Sequence, residues 1–591
     1  MNTNYRKNKT RQAGRHYQHR RPPAGLPHPK IVKEKKLKII PLGGQEEVGR
    51  NMTIFEYDGD IVIVDMGLQF PEEDMPGIDY IIPDVSYLEG RHKDIQAVIF
   101  THGHLDHIGA APLLLQKLGY PPVVGRDLTL AMIKHRLEDH QKNSAQRLKT
   151  FQIKDFQEIF TFGSFKVRFF QVEHSIMDAV GAVLQTPTGT VVHPGDWTME
   201  KNAHGQPLID YSFLSRLPRP TLLMLESLGA TDARPKSTSQ EMKKNLSELI
   251  QKTAGRLIIG TFSSQIERIK WIFEIAEKHD KKIALDGYSM KMNVEIARQL
   301  GYIKIPKGVL VKVHQLDNYP DSRVIVLCTG SQGEGNAVLS RIIEGAHKHI
   351  RLRKADTVVL SSSIVPGNER TIQRLKDNLY RQCDNVIHGE IMDIHVSGHG
   401  NRADILYMVK TVKPDYYLPV YGNYYMLKEA AKLIKENVPG FSDRNVFVAD
   451  NGQIIEMENK KAKLTNKKVP TNYVMVDGLG VGDVGQVVLR DRQAMAQDGM
   501  VVIIAQVSRQ SGEVAASPDI ISRGFIYMKE SKKLLFELRQ KVKEVVRQST
   551  GGHNGPLETD FIKNNLRDEI GRFLFQKTER RPMILPVVIE V

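Results

Sequence analysis

Within His102-Gly-His104-Leu-Asp106-His107, three imidazoles and one carboxylate fall in six residues. That combination offers divalent-metal chemistry, because neutral imidazole nitrogens and carboxylate oxygens are the ordinary protein ligands of a zinc-like cation. Side chains two apart on an extended turn point the same way, so His102 and His104 can share one ion. Asp106 and His107 lie past the bend and can face a second. An isolated histidine is ordinarily a surface or core residue; four potential ligands this close favour metal. Two adjacent cations would lower the pKa of a shared water for hydrolytic attack.

Positioning these groups falls to the strand in front of them. Ile95 to Phe100 is apolar except for Gln96, the length of a buried strand. In α/β proteins ligand-binding loops gather at the carboxyl ends of strands. Leu37 to Pro41, Thr53 to Tyr57 and Ile61 to Val64 alternate with Gly, Asp and Asn turns and also read as strands. Ala110 to Leu118 and residues 126–150 have helical composition, and strands return near residue 165. From Thr221 a β-α rhythm sets in: strand Thr221 to Leu225, helix Thr238 to Lys252, strand Leu257 to Gly260, helix Glu267 to Lys278, strand Lys282 to Asp286. Val324 to Leu327 and Thr357 to Leu360 extend it. Hydroxyl- and glycine-rich strand ends, such as Thr261 to Gln265 and Thr329 to Glu334, suit phosphate because backbone N–H groups can approach an anion there. Lys460 to Lys468 reads as a charged linker. Beyond it a compact α+β pattern runs to the final strand Met583 to Glu590, with Leu534, Leu535, Leu538, Val542, Val545 and Val546 on one helical face.

A chain of 591 residues is too long for one core, and 41% hydrophobic with 26% charged residues is ordinary globular composition. Apolar runs are strand-sized, so neither a membrane span nor a secretory signal is expected. Cys328 and Cys383 alone provide no disulfide framework, and a reducing, cytoplasmic setting is expected. Residues 1–38 carry twelve Lys/Arg against Glu34, which is +11 of the chain's +15. This polar, basic tail is expected to be disordered and to contact a polyanion by counterion release.

Pro41-Leu-Gly-Gly-Gln-Glu-Glu-Val-Gly49 with Asn51 and Met52, the histidine cluster, and Ser397-Gly-His399 resemble ribonuclease J, a β-CASP nuclease family of the metallo-β-lactamase superfamily. The resemblance runs from about residue 37 to the C-terminus. It implies an α/β fold: a metallo-β-lactamase αββα sandwich with an inserted β-CASP α/β domain and a small α+β C-terminal domain. The expected boundaries are a tail at 1–36, the lactamase domain at 37–215 and 386–458, the β-CASP domain at 216–385, a linker at 459–472 and an assembly domain at 473–591. His174 and Asp196, each at a strand end, supply what the constellation lacks: a third imidazole for the first ion and a carboxylate bridging both. Asp65 is expected to hold a ligand histidine from behind, and Glu226 to support the site where Asp is commoner.

Asp393-Ile-His395-Val396-Ser397-Gly398-His399 resembles the family's phosphate-gripping motif. It assigns these residues from His395 onward to substrate phosphate, and His395 and His399, with Asp106 and His107, to catalysis. Ser263, Ser264 and Gln265 resemble the segment that holds RNA near its 5′ end. Three departures stand out: His193-Pro-Gly-Asp196-Trp197 in place of a Thr-Gly-Asp-Phe-like sequence, Gly400 in place of alanine, and Pro419-Val-Tyr421-Gly-Asn423 where the family carries a histidine. His193 is not expected to be a ligand. A tyrosine, with a reference pKa near 10, is a poor ligand at neutral pH, so the second ion should bind more weakly, with Tyr421 acting by hydrogen bonding.

The implied function is metal-dependent hydrolysis of RNA, with endonuclease and 5′-to-3′ exonuclease activity in rRNA processing and mRNA decay. Two divalent ions are expected, zinc first, with manganese or magnesium as alternatives. Expected partners are RNA, further copies of the chain, and a ribosome or RNA-decay complex, with no membrane. Two other readings remain open: a DNA nuclease of the same superfamily, and a weakly active or inactive RNA-binding subunit of an active paralogue.

Overall fold

The computed structural model describes residues 35–202, 204–334, 336–362, 364, 368–389, 391–392, 397–526, 530–551 and 557–591. The basic tail up to residue 34, His395 and Val396 lie outside the described residues.

An eight-stranded and a six-stranded sheet face each other. Between them lies a core of alternate strand residues: Ile39, Phe55, Val62, Val64 and Ile99 from one, Val167, Phe169, Leu184, Val191 and Leu222 from the other. Helices cover both outer faces. Leu114, Leu128 and Ile133 pack behind the first sheet, and Ile405, Met408, Ala430 and Leu433 behind the second. This is the expected αββα sandwich. Strands covered on both faces read as near-continuous apolar runs, as in Thr221–Glu226 and Gly189–His193, which are buried along their whole length and end in the polar Glu226 and His193.

The inserted region is a six-stranded sheet in which every pairing is parallel. Its central strands, Leu257–Gly260, Val324–Cys328 and Thr357–Leu360, are entirely buried. The helix Ser239–Lys252 begins with a reciprocal Thr238/Glu241 cap and buries Met242, Leu246, Leu249 and Ile250 on one face. A C-terminal three-stranded sheet, Met500–Val507 flanked by Asp519–Arg523 and Met583–Glu590, packs one face on two long helices through Val501, Ile503, Leu538, Val542 and Leu566.

Sheet membership corrects three expected boundaries. Thr221–Glu226 pairs with Gly189–His193 and Tyr416–Val420, so the sandwich keeps this strand and the insertion starts after it, not at 216. Asn385–Ile387 is the edge strand of the inserted sheet, so the return falls after it. The expected linker is largely a strand: Lys461–Lys468 pairs antiparallel with Gln453–Glu458 in the eight-stranded sheet. Its lysines face outward, Lys463 and Lys467 pairing with Glu456 as Lys36 also does, while Ala462 and Leu464 turn into the core. Alternation of that kind is the period of a half-buried strand. Lysine content concealed it.

Candidate metal centre

Six strands of the sandwich end at one rim. Asp60–Val64 leads to Asp65, Ile95–Ile99 to the histidine turn, Phe165–Gln171 to His174, Gly189–His193 to Asp196, Thr221–Glu226 to its own last residue, and Tyr416–Val420 to Tyr421. There His102, His104, His174 and Asp196 form one group able to hold an ion; Asp106, His107 and Asp196 form a second. Asp196 belongs to both. A third group, Asp196, Glu226 and His399, adjoins them.

In the first group His104 Nδ1 lies 3.1 Å from His102 Nε2 and 2.9 Å from His174 Nε2. Asp196 Oδ2 is 4.0 Å and 3.8 Å from the same two Nε2 atoms. Nitrogens at about 2.1 Å from a tetrahedral zinc are roughly 3.4 Å apart, so the set fits such an ion.

The outer nitrogens fix which tautomers are present. His174 Nδ1–H donates to the Gly398 carbonyl at 2.7 Å, and His107 Nδ1–H to Asp65 Oδ2 at 2.7 Å. Thr101 Oγ1 donates to Asp65 Oδ2, so it accepts from His102 Nδ1–H at 3.0 Å. His102 and His174 therefore turn an unprotonated Nε2 inward, the form a metal needs. Burial lowers His102 and His174 well below the usual imidazole range and His104 to about 4, keeping them neutral. Asp196 Oδ1 is buried without a hydrogen-bond partner, a costly arrangement that a cation would relieve. Both observations fit a divalent cation here. Asp65, at φ 63°, also accepts the Thr101 N–H at 2.8 Å and so holds two ligand rings, one directly and one through a hydroxyl.

The second group is different. Burial opposes charge on His107, but Asp196, Asp106 and Asp65 around it raise its pKa well above the usual range. Its Nε2 lies 3.3 Å from Asp196 Oδ1 and 3.4 Å from Asp106 Oδ2. Asn51 Nδ2 approaches the same Nε2 at 3.0 Å and Asp106 Oδ2 at 3.2 Å. Asn51 lies more than fifty residues before these partners, and no spacing in the sequence links it to them. Tyr421 stacks edge-on against the His107 ring at 5.4 Å, and its hydroxyl lies 3.0 Å from His193 Nε2. Because Gly195 N–H donates to His193 Nδ1 at 3.0 Å, His193 carries its proton on Nε2 and donates it to the tyrosine oxygen. The hydroxyl hydrogen of Tyr421 is left to donate elsewhere. His193 belongs to neither metal group and instead holds Tyr421.

In the phosphate turn, His399 Nδ1 bonds Glu226 Oε2 at 2.6 Å, while its ring keeps 31% exposure. Burial works against the imidazolium, but the Glu226 carboxylate raises His399 to about 9. Glu226 is fully buried and also accepts the Trp197 N–H at 2.9 Å. Ser397 Oγ accepts the His399 N–H at 3.2 Å. Gly398 has to be glycine: a Cβ there would lie 2.8 Å from Ser175 Oγ and 2.9 Å from the His174 ring.

Ser263, Ser264 and Gln265 follow the strand Leu257–Gly260 in the inserted sheet and hydrogen-bond to none of the clustered histidines. Ser263 accepts from Asn293 at 3.1 Å through both its carbonyl and hydroxyl oxygens. Gln265 is buried, and its Oε1 accepts from Thr261 at 3.2 Å within its own loop.

Comparison with known proteins accords with this geometry. Family models match for the metallo-β-lactamase superfamily over residues 46–231, the ribonuclease J β-CASP domain over 254–379, the Zn-dependent metallo-hydrolase RNA specificity domain over 386–448, and the ribonuclease J C-terminal domain over 487–591. A protein of Bacillus subtilis named Ribonuclease J2 is 35% identical over 559 residues, covering 94% of this chain and 99% of the relative. The chain belongs to the ribonuclease J family. Two further members of that family are Ribonuclease J 1 of Streptococcus pyogenes, 36% identical over 94% of this chain and 98% of its own length, and Ribonuclease J 2 of Staphylococcus aureus, 34% identical over 95% and 99%.

Proposed function

We propose that this ribonuclease J family member is a metal-dependent ribonuclease, cleaving RNA internally and from the 5′ end in rRNA maturation and mRNA decay. The observation that carries the proposal is the convergence of His102, His104 and His174 with Asp196, which Asp106 and His107 share. These six residues would hold two divalent ions, zinc by the nitrogen-rich first set, with manganese or magnesium as the alternatives. When bound, such ions acidify water and offset charge on a phosphate.

The chain's own residues supply the rest. Asp65 holds the His107 and His102 rings in their ligand tautomers, and Glu226 orients His399. An imidazolium with its pKa near 9 is protonated at neutral pH. His399 therefore grips a phosphate oxygen and gives its Nε2 proton to the leaving oxygen as the P–O bond breaks, while water adds to phosphorus and releases a proton to solvent. His395, Val396, Ser397 and Gly398 are assigned to the substrate phosphate by the family motif, and Ser263, Ser264 and Gln265 to the segment that receives the RNA 5′ end. Self-assembly is proposed for the C-terminal domain, whose outer sheet face is apolar. Val502 lies between Ile521 and Leu585, and the exposed Leu585, Val587 and Ile589 share one side of their strand. No described helix is long and apolar enough to cross a membrane.

The test is cleavage of a 5′-monophosphorylated RNA beside DNA of the same sequence, with and without chelator. Cleavage of RNA alone, abolished by chelator and by Asp106→Ala with His107→Ala, is expected; RNA cleavage untouched by both would overturn the assignment. One observation favours a second reading, a weakly active subunit of an active paralogue: Tyr421 is bonded to His193 beside the second group, where the family carries a histidine. Undiminished binding of RNA with no cleavage at any metal concentration would select it.

A further inference from the structure

Lys236 is not in any metal group, and its sequence context gives no hint of a role. Its side chain is 18% exposed. An ammonium has three protons to donate, and this one has three acceptors from three separate segments. Nζ donates to Thr198 Oγ1 at 2.7 Å, just past Asp196; to the backbone carbonyl of His399; and it pairs with Asp404 Oδ2 at 3.0 Å. Asp404, only 3% exposed, also accepts the Asn401 N–H and so caps the helix that follows the phosphate turn.

Further contacts tie the same two segments together. Asn401 Nδ2 donates to the Arg234 carbonyl at 3.0 Å, and Arg402 N–H to that of Asp232 at 3.0 Å. Gly229 bridges Asn401, and a Cβ on Gly229 would lie 2.1 Å from the Gly400 carbonyl oxygen. The segment leaving the strand Thr221–Glu226 is thus folded closely against the His399 turn. It begins with Glu226, which holds the His399 ring, and ends with Lys236, which holds the His399 carbonyl.

We infer that Lys236 is a positioning residue for RNA cleavage: it locks the backbone of the His399 turn to the Asp196 loop so that the imidazole meets the scissile phosphate at a fixed distance. The inference rests on the reading of His399 as phosphate contact and proton donor. Lysine suits the task because one compact cation donates at once to acceptors on three separate segments. Misplacing a reacting group by about 1 Å costs up to roughly a hundredfold in rate.

The experiment measures kcat and KM on a 5′-monophosphorylated oligoribonucleotide, with metal content and thermal midpoint, for the wild type, K236M, K236R, T198V and H399A. For K236M, kcat is expected to fall by about tenfold or more with KM within about twofold and metal content unchanged. K236R should recover part of that loss, and T198V, which removes a single acceptor and keeps the fold should K236M not, should show a smaller drop of the same kind. Wild-type kcat in K236M or T198V beside a slow H399A would overturn the inference alone. So would a loss that follows metal content or folded fraction and is not relieved by K236R. A full-rate H399A would instead overturn the reading of the site, and this inference with it.

Discussion

At the scale of single residues, the site depends on where protons are held. Asp65, Thr101 and the Gly398 carbonyl take the outer imidazole protons of His107, His102 and His174, and the inward nitrogens of His102 and His174 are left as lone-pair donors. Tyr421 is the exception among the strand-end residues, since a buried phenol with its pKa pushed up by burial and by the nearby Asp65 does not ionise to bind a cation at neutral pH. Tyr421→His is therefore expected to raise the metal retained per chain after gel filtration, read by elemental analysis, and Tyr421→Phe is not. Equal metal in both variants would show that the ring position, and not its nitrogen, limits the second site. Away from the site, burial raises the Glu56 pKa, but hydrogen bonds from Arg91, Lys38 and Tyr87 outweigh it and bring the carboxyl from 4.5 down to about 2. A depressed carboxylate stabilises the fold above its unfolded pKa and loses that contribution as pH falls through the folded one. Glu56→Gln should thus cost about 2 kcal/mol in urea unfolding at neutral pH, and the gap from wild type should close between about pH 4.5 and pH 2.

Among the elements, the decisive contact is between the Asp65–Leu68 segment and the turn that carries Asp106. Met66 N–H donates to the His107 carbonyl, Leu68 N–H to that of Leu105, and Asn51 N–H to that of Asp106. Three backbone segments pass so closely that a Cβ on Gly67 would lie 1.6 Å from the Asp106 oxygen and 2.7 Å from Asn51 N. Gly67→Ala cannot be accommodated by a rotamer change, because both neighbours are backbone. It is expected to cost at least about 1–3 kcal/mol and to displace the short helix Leu105–Ile108, so that metal retention falls together with the thermal midpoint. A variant that unfolds at the wild-type temperature and keeps its metal would disprove the close contact.

Across the whole molecule, the C-terminal domain joins the sandwich through specific ties. Val474–Asp477 pairs with Tyr80–Ile82, and buried Arg50 donates to the Thr471 and Asn472 carbonyls under the Tyr473 ring. Arg50 adjoins Asn51, so these ties end beside the second metal group. The outer face of the C-terminal sheet leaves Leu585, Val587 and Ile589 40%, 41% and 43% exposed, a row that a lone soluble chain gains nothing by presenting. Leu585→Lys with Val587→Lys should lower the mass seen in sedimentation while leaving the thermal midpoint nearly unchanged, since neither side chain is in the core. An unaltered mass would overturn the proposal that this face mediates self-assembly.

Much of this protein is determined locally and so was visible in the chain itself. The His-x-His-x-Asp-His spacing, the apolar strands that end in His174 and Asp196, and the β-α rhythm from Thr221 onward each depend on neighbours in sequence. Metal-ligand type and hydrophobic period survive without coordinates for that reason. Other features were decided only by tertiary structure. Lys461–Lys468 is a strand because Gln453–Glu458 lies beside it; Gln265 turns inward because Thr261 offers it a partner; His193 is fixed by Gly195 and in turn holds Tyr421. The roles of Asn51 and Lys236 arise from contacts with residues far away in the chain, and a hydrogen bond between distant segments leaves no periodicity or spacing behind in the sequence.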